Sequence, residues 1–335
     1  MKKLTINEIA EMVGVSKTTI SFYLNGKTNK MSDETQKKIQ QVIEETGYTP
    51  SAATRTVKAS DDCIGVILGD VSKPFAAKAL KGIEEEANEA GYQVIVGNNE
   101  MSFAKEKEYV EHMLKMGVSG FIIQATYRFG ILAMELEKKN KKIVYLDIPP
   151  YDSQGVRVLG DNYQCVYDAI SQCIERGYDQ LLVVSDANES EYTGMDNLRG
   201  FKDAANDAGV SFKTYFIEAE TTREEIHDYL EQIISEYKKT LVYASDVEAL
   251  RKAYLGIKLF PDFQSLFPER LGLIGFDVTG WTKIAVPEIS AIMIPAYQEG
   301  QIASRKLIEM IESKNSISNK KVIIKNAVRW RDSTL

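Results

Sequence analysis

Beyond residue 60 the sequence alternates between short apolar runs and longer amphipathic stretches, and this alternation constrains the fold more than any other feature. Continuously apolar strands separated by helices are typical of parallel sheets that are covered on both faces. The runs are CIGVIL (63–68), YQVIV (92–96), GFII (120–123), KIVYL (142–146), LLVVS (181–185), LVYA (241–244) and LGLIGF (271–276).

This part of the chain is long enough for two α/β lobes, because roughly eleven such strands are too many for one small sheet. Two late apolar segments, 292–294 and 322–324, should pass back through both lobes, which gives several crossings and a cleft between them. The predicted lobes are lobe one, about 61–161 and 292–318, and lobe two, about 162–291 and 319–335.

The first fifty residues have a different pattern, which predicts three short amphipathic helices around one small core. Thr5 stands three residues before a glutamate, the spacing of a capping box, and precedes a helix of about residues 6–12. Gly14 follows, because glycine adopts the left-handed conformation of a tight turn without steric cost. Ser16 then caps a second helix, and a third runs from Ser32 to Thr46.

Two helices around one glycine suggest a helix-turn-helix with its second helix in a major groove of DNA. A helical cap without a nucleic acid partner is the alternative. Charge favours DNA, since residues 1–60 carry nine Lys and Arg against six Asp and Glu, a net of +3 in a chain of −7. The residues on or near the DNA side of the second helix are Lys17, Thr18, Ser21 and Phe22.

Four motifs follow one another through the head, and together they are specific although each alone is weak. They read Thr5-Ile-Asn-Glu-Ile-Ala10, Gly14-Val-Ser-Lys-Thr-Thr-Ile-Ser21, Asn25-Gly26 and Tyr48-Thr-Pro50. In this order they resemble the signature of the LacI/GalR (lactose repressor) family of bacterial transcription regulators, and the match is collinear over almost the whole chain. The break near residues 159–162 also resembles the family's passage from its first lobe to its second.

The resemblance implies an N-terminal all-α helix-turn-helix domain at 1–50, a hinge helix at 51–60 and an effector-binding, dimerising domain at 61–335. That domain would be a two-lobed, periplasmic-binding-protein-like fold with two parallel sheets. The hinge helix would form on operator and wedge Val57 into the minor groove. The predicted DNA-binding residues are Thr5, Ser16, Lys17, Thr18, Thr19, Ser21, Phe22, Asn25, Ser32, Tyr48, Ala53 and Val57.

Two positions depart from the family's pattern in the head. Val57 stands where leucine is usual, so its wedge would intercalate less deeply. Phe22 stands where many members place an arginine that reads guanine, and an aromatic ring there could contact a thymine methyl instead. The alternative is that Phe22 turns inward and packs on the third helix, as large aromatic residues usually do.

Polar side chains follow the predicted strands, and open α/β sheets bind ligands at the carboxyl ends of their strands. Acids, amides and hydroxyls beside an aromatic face suit a sugar or a sugar acid. Asp161 and Asp246 have helix capping as an alternative, whereas Gly275-Phe-Asp277 resembles the family's effector-contacting pattern. The predicted effector-binding residues are Asp70, Ser72, Phe75, Gln124, Asp161, Asn188, Ser190, Asn197, Ser245, Asp277 and Trp281.

Three positions depart from the family's neutral-sugar binders. Asn197, Ser245 and Ile294 stand where those members tend to have arginine, asparagine and glutamine, so a different ligand is expected. The head most resembles the branch that responds to ketodeoxygluconate and related sugar acids.

An acidic ligand would require a cation in its site. Three basic residues, Lys73, Arg128 and Arg199, are the nearest candidates. Each has a solvated surface position as the alternative.

An enzyme fits the sequence poorly, and we predict no catalytic residue, metal or cofactor. The two histidines, His112 and His227, lie inside predicted amphipathic helices rather than at strand ends. The dinucleotide, phosphate-loop and zinc-protease motifs are missing from the sequence. The three cysteines lack paired ligand spacing and are expected to be small buried apolar residues in a reducing cytosol.

An exported sugar-binding protein, with the same two-lobed fold, would need a signal peptide, and the N-terminus has no apolar core of that length. A run of about 18 apolar residues, as a membrane span requires, is also missing. We therefore expect a cytoplasmic protein.

The expected function is repression of a carbohydrate operon under allosteric control by the effector. A homodimer is expected, because one helix-turn-helix covers half of a pseudo-palindromic operator. The apolar stripe of helix 75–90 would lie in the dimer interface or cover its own sheet. Some relatives bind a phosphocarrier protein instead of a small molecule, and the sequence leaves induction and co-repression equally open.

Overall fold

A computed structural model describes residues 4–24, 28, 31–46, 48, 63–147, 155–186, 194–234, 237–313 and 321–335, with the backbone alone at 194 and 195. The chain forms two compact units, Met1–Ser60 and Asp61–Leu335.

The small unit contains three helices, α1 (Ile6–Val13), α2 (Lys17–Leu24) and α3 (Asp33–Thr46). The predicted capping box is present, since the Thr5 hydroxyl accepts from the Glu8 amide and the Glu8 carboxylate accepts from the Thr5 amide. Gly14 ends α1 in the left-handed conformation with φ of 75°. The chain can therefore turn directly into α2.

One side chain from each helix fills the centre of this unit. Ile9, Ile20 and Ile39 are fully buried, and the Tyr48 ring packs with them. A core this small buries little apolar surface, so the head depends on all three helices at once.

The large unit contains two six-stranded sheets that are flanked by helices. Its strands are β1 (Cys63–Leu68), β2 (Gln93–Asn98), β3 (Gly120–Ile123), β4 (Lys142–Leu146), β5 (Val156–Gly160), β6 (Gln180–Asp186), β7 (Phe212–Ile217), β8 (Thr240–Ala244), β9 (Leu271–Asp277), β10 (Ser290–Met293), β11 (Lys321–Ile324) and β12 (Ala327–Arg329). Its helices are α4 (Pro74–Glu89), α5 (Phe103–Met116), α6 (Gly130–Lys138), α7 (Asn162–Glu175), α8 (Gly194–Asp207), α9 (Arg223–Ile233), α10 (Val247–Ile257) and α11 (Ala296–Glu312).

Lobe one is built on the sheet β11-β5-β4-β3-β1-β2, in which the paired strands run parallel. Alternate residues of its strands enter two separate cores. Val66 packs with α4 and α11, whereas Ile67 packs with α5 and α6. The continuous apolar run of β1 is thus explained by a sheet that is covered on both faces.

Lobe two is built on the sheet β12-β10-β9-β8-β6-β7. Its strands are parallel except for β12, which pairs antiparallel with β10. Val183 packs with α7 and α8, and Val184 packs with α9 and α10. Cys165 and Cys173 of α7 are buried in the first of these cores, and burial raises the pKa of each thiol to about 12.

The late crossings differ from the sequence-based boundaries in two places. Strand β10 pairs with β9 in lobe two, so residues 292–293 do not belong to lobe one. Strand β11 pairs with β5 in lobe one, although 319–335 was expected in lobe two. The cause is that each late segment adds a strand to the sheet it passes, β11 at an edge and β10 between β9 and β12, and apolar pattern alone cannot tell one sheet from the other.

The helix α4 covers lobe one rather than presenting its apolar stripe to solvent. Ala79, Ile83 and Ala87 are buried in the core of this lobe. The stripe therefore covers its own sheet, and its place in a dimer interface stays a prediction. Opposite α4, the backbone of α11 approaches so closely that a Cβ atom on Gly300 would lie 2.0 Å from the Ala79 carbonyl oxygen.

Candidate functional site

Three of the predicted DNA-contact residues are helix caps. Thr5 caps α1, and the Ser16 hydroxyl accepts from the Thr19 amide at 3.1 Å at the start of α2. The Ser32 hydroxyl accepts from the Thr35 amide at 3.3 Å and bonds the Thr35 hydroxyl at 2.9 Å. Each cap satisfies a free amide of a first helical turn, which fixes where the helix begins.

The other head residues differ in exposure. Lys17 and Thr18 are exposed at the beginning of α2, and Thr19, Ser21 and Phe22 are half-buried along it. Lys17 and Thr18 are therefore the side chains of α2 that are most available to a partner.

Tyr48 is 6% exposed and belongs to the head core, and its burial raises the pKa of the phenol. Its ring therefore holds the three helices together, whatever contact its hydroxyl makes with DNA. The predicted contacts Asn25, Ala53 and Val57, together with the hinge at 51–60, lie outside the described residues.

A cavity of about 590 Å³ lies between the carboxyl ends of the strands of the two lobes. Lobe one contributes the loops after β1, β3 and β4, and lobe two contributes the ends of β6, β8, β9 and β10. Side chains after the ends of parallel strands converge because all those strands point the same way. The cavity has the size of a site for one small molecule.

Six of the predicted effector residues are brought together around this cavity: Asp70, Phe75, Gln124, Asn197, Ser245 and Trp281. Gln124 joins two of the loops, since its Oε1 accepts from the Gly69 amide at 3.0 Å and its Nε2 lies 3.4 Å from an Asp147 oxygen. Asn197 reaches across lobe two and donates to the Ser245 carbonyl at 3.0 Å.

Asp277 does not line the cavity and instead holds the turn that follows β9. Its carboxylate is fully buried and accepts from the amides of Thr279, Gly280 and Thr282 at 2.8, 3.0 and 3.2 Å, and from the Thr282 hydroxyl at 2.6 Å. Since Trp281 lies in this turn, Asp277 acts by placing that ring at the cavity wall. Direct contact of Asp277 with an effector stays a prediction, because this acid is not among the described lining residues and its carboxylate already accepts from the groups of this turn.

Asp161 and Ser72 also lie outside the lining. Asp161 makes no capping hydrogen bond to α7; its carboxylate accepts from the Asn326 amide at 2.6 Å and so joins two crossings between the lobes. The Ser72 hydroxyl donates to Asp70 at 2.7 Å and helps to fix that acid. Asn188 and Ser190 lie outside the described residues.

The capping role expected of Asp246 is confirmed, and this acid also lies at the cavity. It caps α10 by accepting from the amides of Glu248 and Ala249 at 2.7 and 2.9 Å, and it also lines the cavity. Burial raises the pKa of Asp246, the capping amides oppose this shift, and the neighbouring Asp186 adds to it.

The sequence-based reasoning missed several lining residues. Asp147 and Asp186 stand at the ends of β4 and β6, so the strand-end rule could have found both. Glu248 and Arg251 lie one turn apart on α10 and bond each other at 2.6 and 3.0 Å. Their helical position gave no signal, because a charged pair at that spacing is usually a solvated surface pair.

Of the three cations proposed to meet an acidic ligand, Lys73 alone is among the described residues of the cavity lining. The Arg128 guanidinium lies over the Phe103 ring at 4.8 Å. Arg199 is paired with Asp196 at 3.0 Å and lies over the Tyr163 ring.

Another buried acid, Glu299, lies on α11 near Asp147 and Asp161. Glu299 is 1% exposed, and neither of its oxygens has a hydrogen-bond partner among the described residues. Burial, together with the nearby acids Asp147 and Asp161, raises its pKa to about 8. Burial likewise raises the pKa of Asp147 to about 6, against the hydrogen bond from Gln124.

Replacing Glu299 with glutamine should remove part of the pH dependence of stability. A carboxyl whose pKa is raised by folding from 4.5 to about 8 favours the folded state fully below pH 4.5, and this advantage is lost as the pH rises to about 8. We expect E299Q to be more stable than the parent by about 2–4 kcal/mol at mildly alkaline pH, with a much smaller gain at mildly acidic pH. Urea unfolding at both pH values measures this, and an equal effect at both would contradict it.

A three-helix head with an exposed helix start, joined in one chain to a two-lobed α/β unit with a polar cavity, defines a ligand-responsive DNA-binding regulator. Two family models match these parts: "Bacterial regulatory proteins, lacI family" over residues 5–51 and "Periplasmic binding proteins and sugar binding domain of LacI family" over residues 61–330. The chain belongs to the LacI family, and it is a transcription regulator that binds DNA.

Relatives are similar over nearly their full length. Catabolite control protein A of Priestia megaterium is 27% identical over 99% of both chains. The HTH-type transcriptional regulator KdgR of Bacillus subtilis is 26% identical over 92% of this chain and 91% of its own. A LacI family transcriptional regulator from Silicibacter pomeroyi has the same fold, with a TM-score of 0.75, 16% identity and 99% coverage of both chains.

Several relatives are named as transcriptional regulators or repressors. Across the described ranges, the helices are all too short or too polar to cross a membrane.

Proposed function

We propose that this regulator acts as a homodimeric repressor of carbohydrate-utilisation genes, and that a sugar-type polyol in the interlobe cavity controls its affinity for a pseudo-palindromic operator. The cavity is the observation that carries the proposal. Amides, two hydroxyls and several carboxylates line it, and the rings of Phe75 and Trp281 stand beside them. Such a lining pairs with hydroxyls and stacks on the apolar side of a sugar ring.

The two lobes already touch through side chains that a ligand would affect. Lys78 of α4 donates to the Val278 carbonyl in lobe two. Val278 also lines the cavity, one residue after Asp277. A ligand that contacts both lobes would therefore change the equilibrium between their arrangements by its difference in affinity for each.

For DNA, the exposed start of α2 supports the proposal. Lys17 and Thr18 stand at the amino end of this helix, where a helix-turn-helix places the residues that reach base edges. The dimer follows from the operator's symmetry, since one small head covers only half of such a site.

Operator binding is tested by fluorescence anisotropy with a labelled fragment of the regulator's own promoter. We expect K17A to weaken operator binding about tenfold or more, because the variant loses a positive charge that would contact DNA at the start of α2. Lys38 is the matched control, since it is exposed on α3 and already paired with Glu34 at 2.9 Å. K38A should have a smaller effect.

Equal losses for the two variants would indicate unspecific attraction of charge, and the absence of any binding at low salt would contradict the proposed function. Adding a stabilising sugar to the same assay should change the operator affinity by a factor of about 5–150, which corresponds to ordinary allosteric coupling.

A further inference from the structure

The acid Glu299 is buried without a hydrogen bond to any described residue. It lies in the first turn of α11, it is 1% exposed, and neither of its oxygens has a partner. The free amides of a first helical turn favour a carboxylate, but Glu299 accepts from none of them. An ionised carboxylate in such a place is strongly disfavoured, so Glu299 fits its surroundings as the neutral acid.

Glu299 also lies beside the segments that join the two lobes. Three segments cross between the lobes: Asp161 between β5 and α7, residues 294–295 between β10 and α11, and residues 325–326 between β11 and β12. The Asp161 carboxylate accepts from the Asn326 amide at 2.6 Å, which joins the first crossing to the third. Glu299 stands one helical turn after the second crossing. Rotation of one lobe against the other is absorbed at such connections, so a change at Glu299 acts where the lobes would move.

The neighbouring strands bring negative charge to Glu299. The helix α11 packs against α4 and against β3, β4 and β5. Asp147 follows β4 and Asp161 follows β5, and both disfavour the ionised form of Glu299. The strand β3, GFII, contains no charged residue. Lys142 begins β4 and stands level with Leu307, which is about 12 Å further along α11.

The other charged side chains of these elements are engaged elsewhere. Arg157 of β5 lies on the sheet face opposite Val158, which packs with α11. At the start of α4, Lys73 acts on Asp246 of lobe two and Lys78 donates to a carbonyl there. The remaining charged residues of α4 and α11 are exposed or paired with one another: Lys81, Glu84, Glu85, Glu86, Glu89, Arg305, Lys306, Glu309 and Glu312. Among the described residues of these elements, the charged groups that act on Glu299 are thus Asp147 and Asp161.

Asp147 connects this buried acid to the effector cavity. Asp147 lines the cavity and accepts a hydrogen bond from Gln124 at 3.4 Å. Its negative charge also acts on Glu299. A ligand group that neutralises or orders Asp147 would therefore change how firmly Glu299 holds a proton.

We propose that Glu299 is a proton-binding site at the interlobe crossings, which stabilises the lobe arrangement described above while its proton is bound and favours a second, hydrated arrangement once the proton is lost. This inference rests on the proposed function and adds pH as a second regulator of operator affinity. The physical cause is that an ionised Glu299 needs water or another donor, and a small separation of the crossings lets water reach it.

The direction of the pH effect follows from the burial of Glu299. Burial, together with Asp147 and Asp161, raises its pKa to about 8, whereas the ordinary value is 4.5. If hydration restores the ordinary value, the described arrangement is fully favoured below pH 4.5, and this advantage is lost as the pH rises to about 8. Each pH unit between these limits changes the balance of the two arrangements by up to tenfold.

The proton itself is tested by difference infrared spectroscopy of the full chain at pH 7 and pH 9. A protonated carboxyl has a carbonyl band that is separate from the bands of carboxylates and amides. We expect such a band at pH 7 in the parent and its loss at pH 9. E299Q should lack this band at both pH values. E309Q is the matched control, since Glu309 is exposed on the same helix and paired with Lys306 at 2.7 Å, and it should keep the band.

The regulatory effect is tested by fluorescence anisotropy with the labelled promoter fragment at the same two pH values. The operator affinity of the parent and of E309Q should change by about fivefold or more between pH 7 and pH 9. In E299Q and E299M the change should be less than about twofold, because neither side chain titrates. The two variants differ in polarity but have similar length, and urea unfolding verifies that each is folded.

The outcomes separate this inference from the proposed function. A band that E299Q retains would show that Glu299 does not hold the proton and would overturn the inference. Operator affinity with the same pH dependence in the parent, E299Q and E299M would overturn the regulatory link and leave the proposed function intact. Absence of operator binding at both pH values would contradict the proposed function, and the regulatory link with it.

Discussion

Replacing Gly300 with alanine is expected to destabilise the large unit by about 3 kcal/mol, although alanine is the better helix former. In an open helix the same change would stabilise by about 1 kcal/mol. Here the added methyl group would lie 2.0 Å from the Ala79 carbonyl oxygen, and a Cβ on Gly82 would lie 2.1 Å from the Tyr297 carbonyl oxygen. The backbones of α4 and α11 touch at these glycines, so the helices would have to separate and open the lobe-one core.

The matched control is Gly130, which begins α6 and has nothing within 4 Å of its would-be Cβ. G130A should leave stability unchanged or raise it slightly. Urea unfolding followed by tryptophan fluorescence gives the measurement, because both tryptophans of the chain, Trp281 and Trp330, lie in the large unit. An unfolding midpoint of G300A that equals or exceeds that of G130A would show that the contact does not restrict the helices.

Asp277→Ala is expected to cost about 3–5 kcal/mol and to abolish effector binding. The change leaves the amides of Thr279, Gly280 and Thr282 and the buried Thr282 hydroxyl without their acceptor. Trp281 would lose its position at the cavity wall together with the turn. Unfolding and ligand-induced thermal shift measure the two effects separately.

The pH dependence of Asp277 gives a further check on this role. Burial raises its pKa, but the hydrogen bonds from Thr282, Gly280 and Thr279 outweigh burial and hold the pKa below its usual 3.8. Its stabilisation is therefore present above pH 3.8 and is lost as the pH falls through the lower folded value.

The exposed Thr279 provides the control for D277A. T279V removes one hydroxyl whose distance to Asp277 is 3.2 Å, and it should cost less than about 1 kcal/mol. If D277A were as stable as T279V and still bound ligand, Asp277 would not organise the turn.

Effector binding in the cavity and operator binding by the head would affect each other reciprocally. If an effector in the cavity changes operator affinity by some factor, operator must change effector affinity by the same factor. The described contacts across the cleft, such as Lys78 with Val278, are the kind that differ between two arrangements of the lobes.

Much of the fold was predictable because local rules act on local sequence. The run CIGVIL became β1 with the predicted bounds, and Thr5 and Gly14 began and ended α1 as expected. Capping and glycine turns need only neighbouring residues, so the sequence records them directly. The candidate site was partly predictable for the same reason, since Asp70 and Gln124 stand after strand ends.

Other features depended on partners that are distant in the sequence. Asp277 and Asp161 looked like ligand residues after strands, but their carboxylates turn toward Thr282 and Asn326. Arg251 was not among the predicted residues, and its position on α10 places it at the cavity. Sequence pattern gives the end of a strand, whereas the direction of a side chain there depends on which amides lie within reach.

The sequence by itself determined the class of protein, a helix-turn-helix head before two α/β lobes, because hydrophobic period, caps and the family's motifs are all written in short segments. Only the tertiary structure decided which sheet β10 and β11 join, where α4 and α11 touch, and which of the described side chains line the cavity. The physical reason is that strand pairing, contacts between helix backbones and the lining of a cavity all depend on residues far apart in the chain. No short segment of sequence determines them.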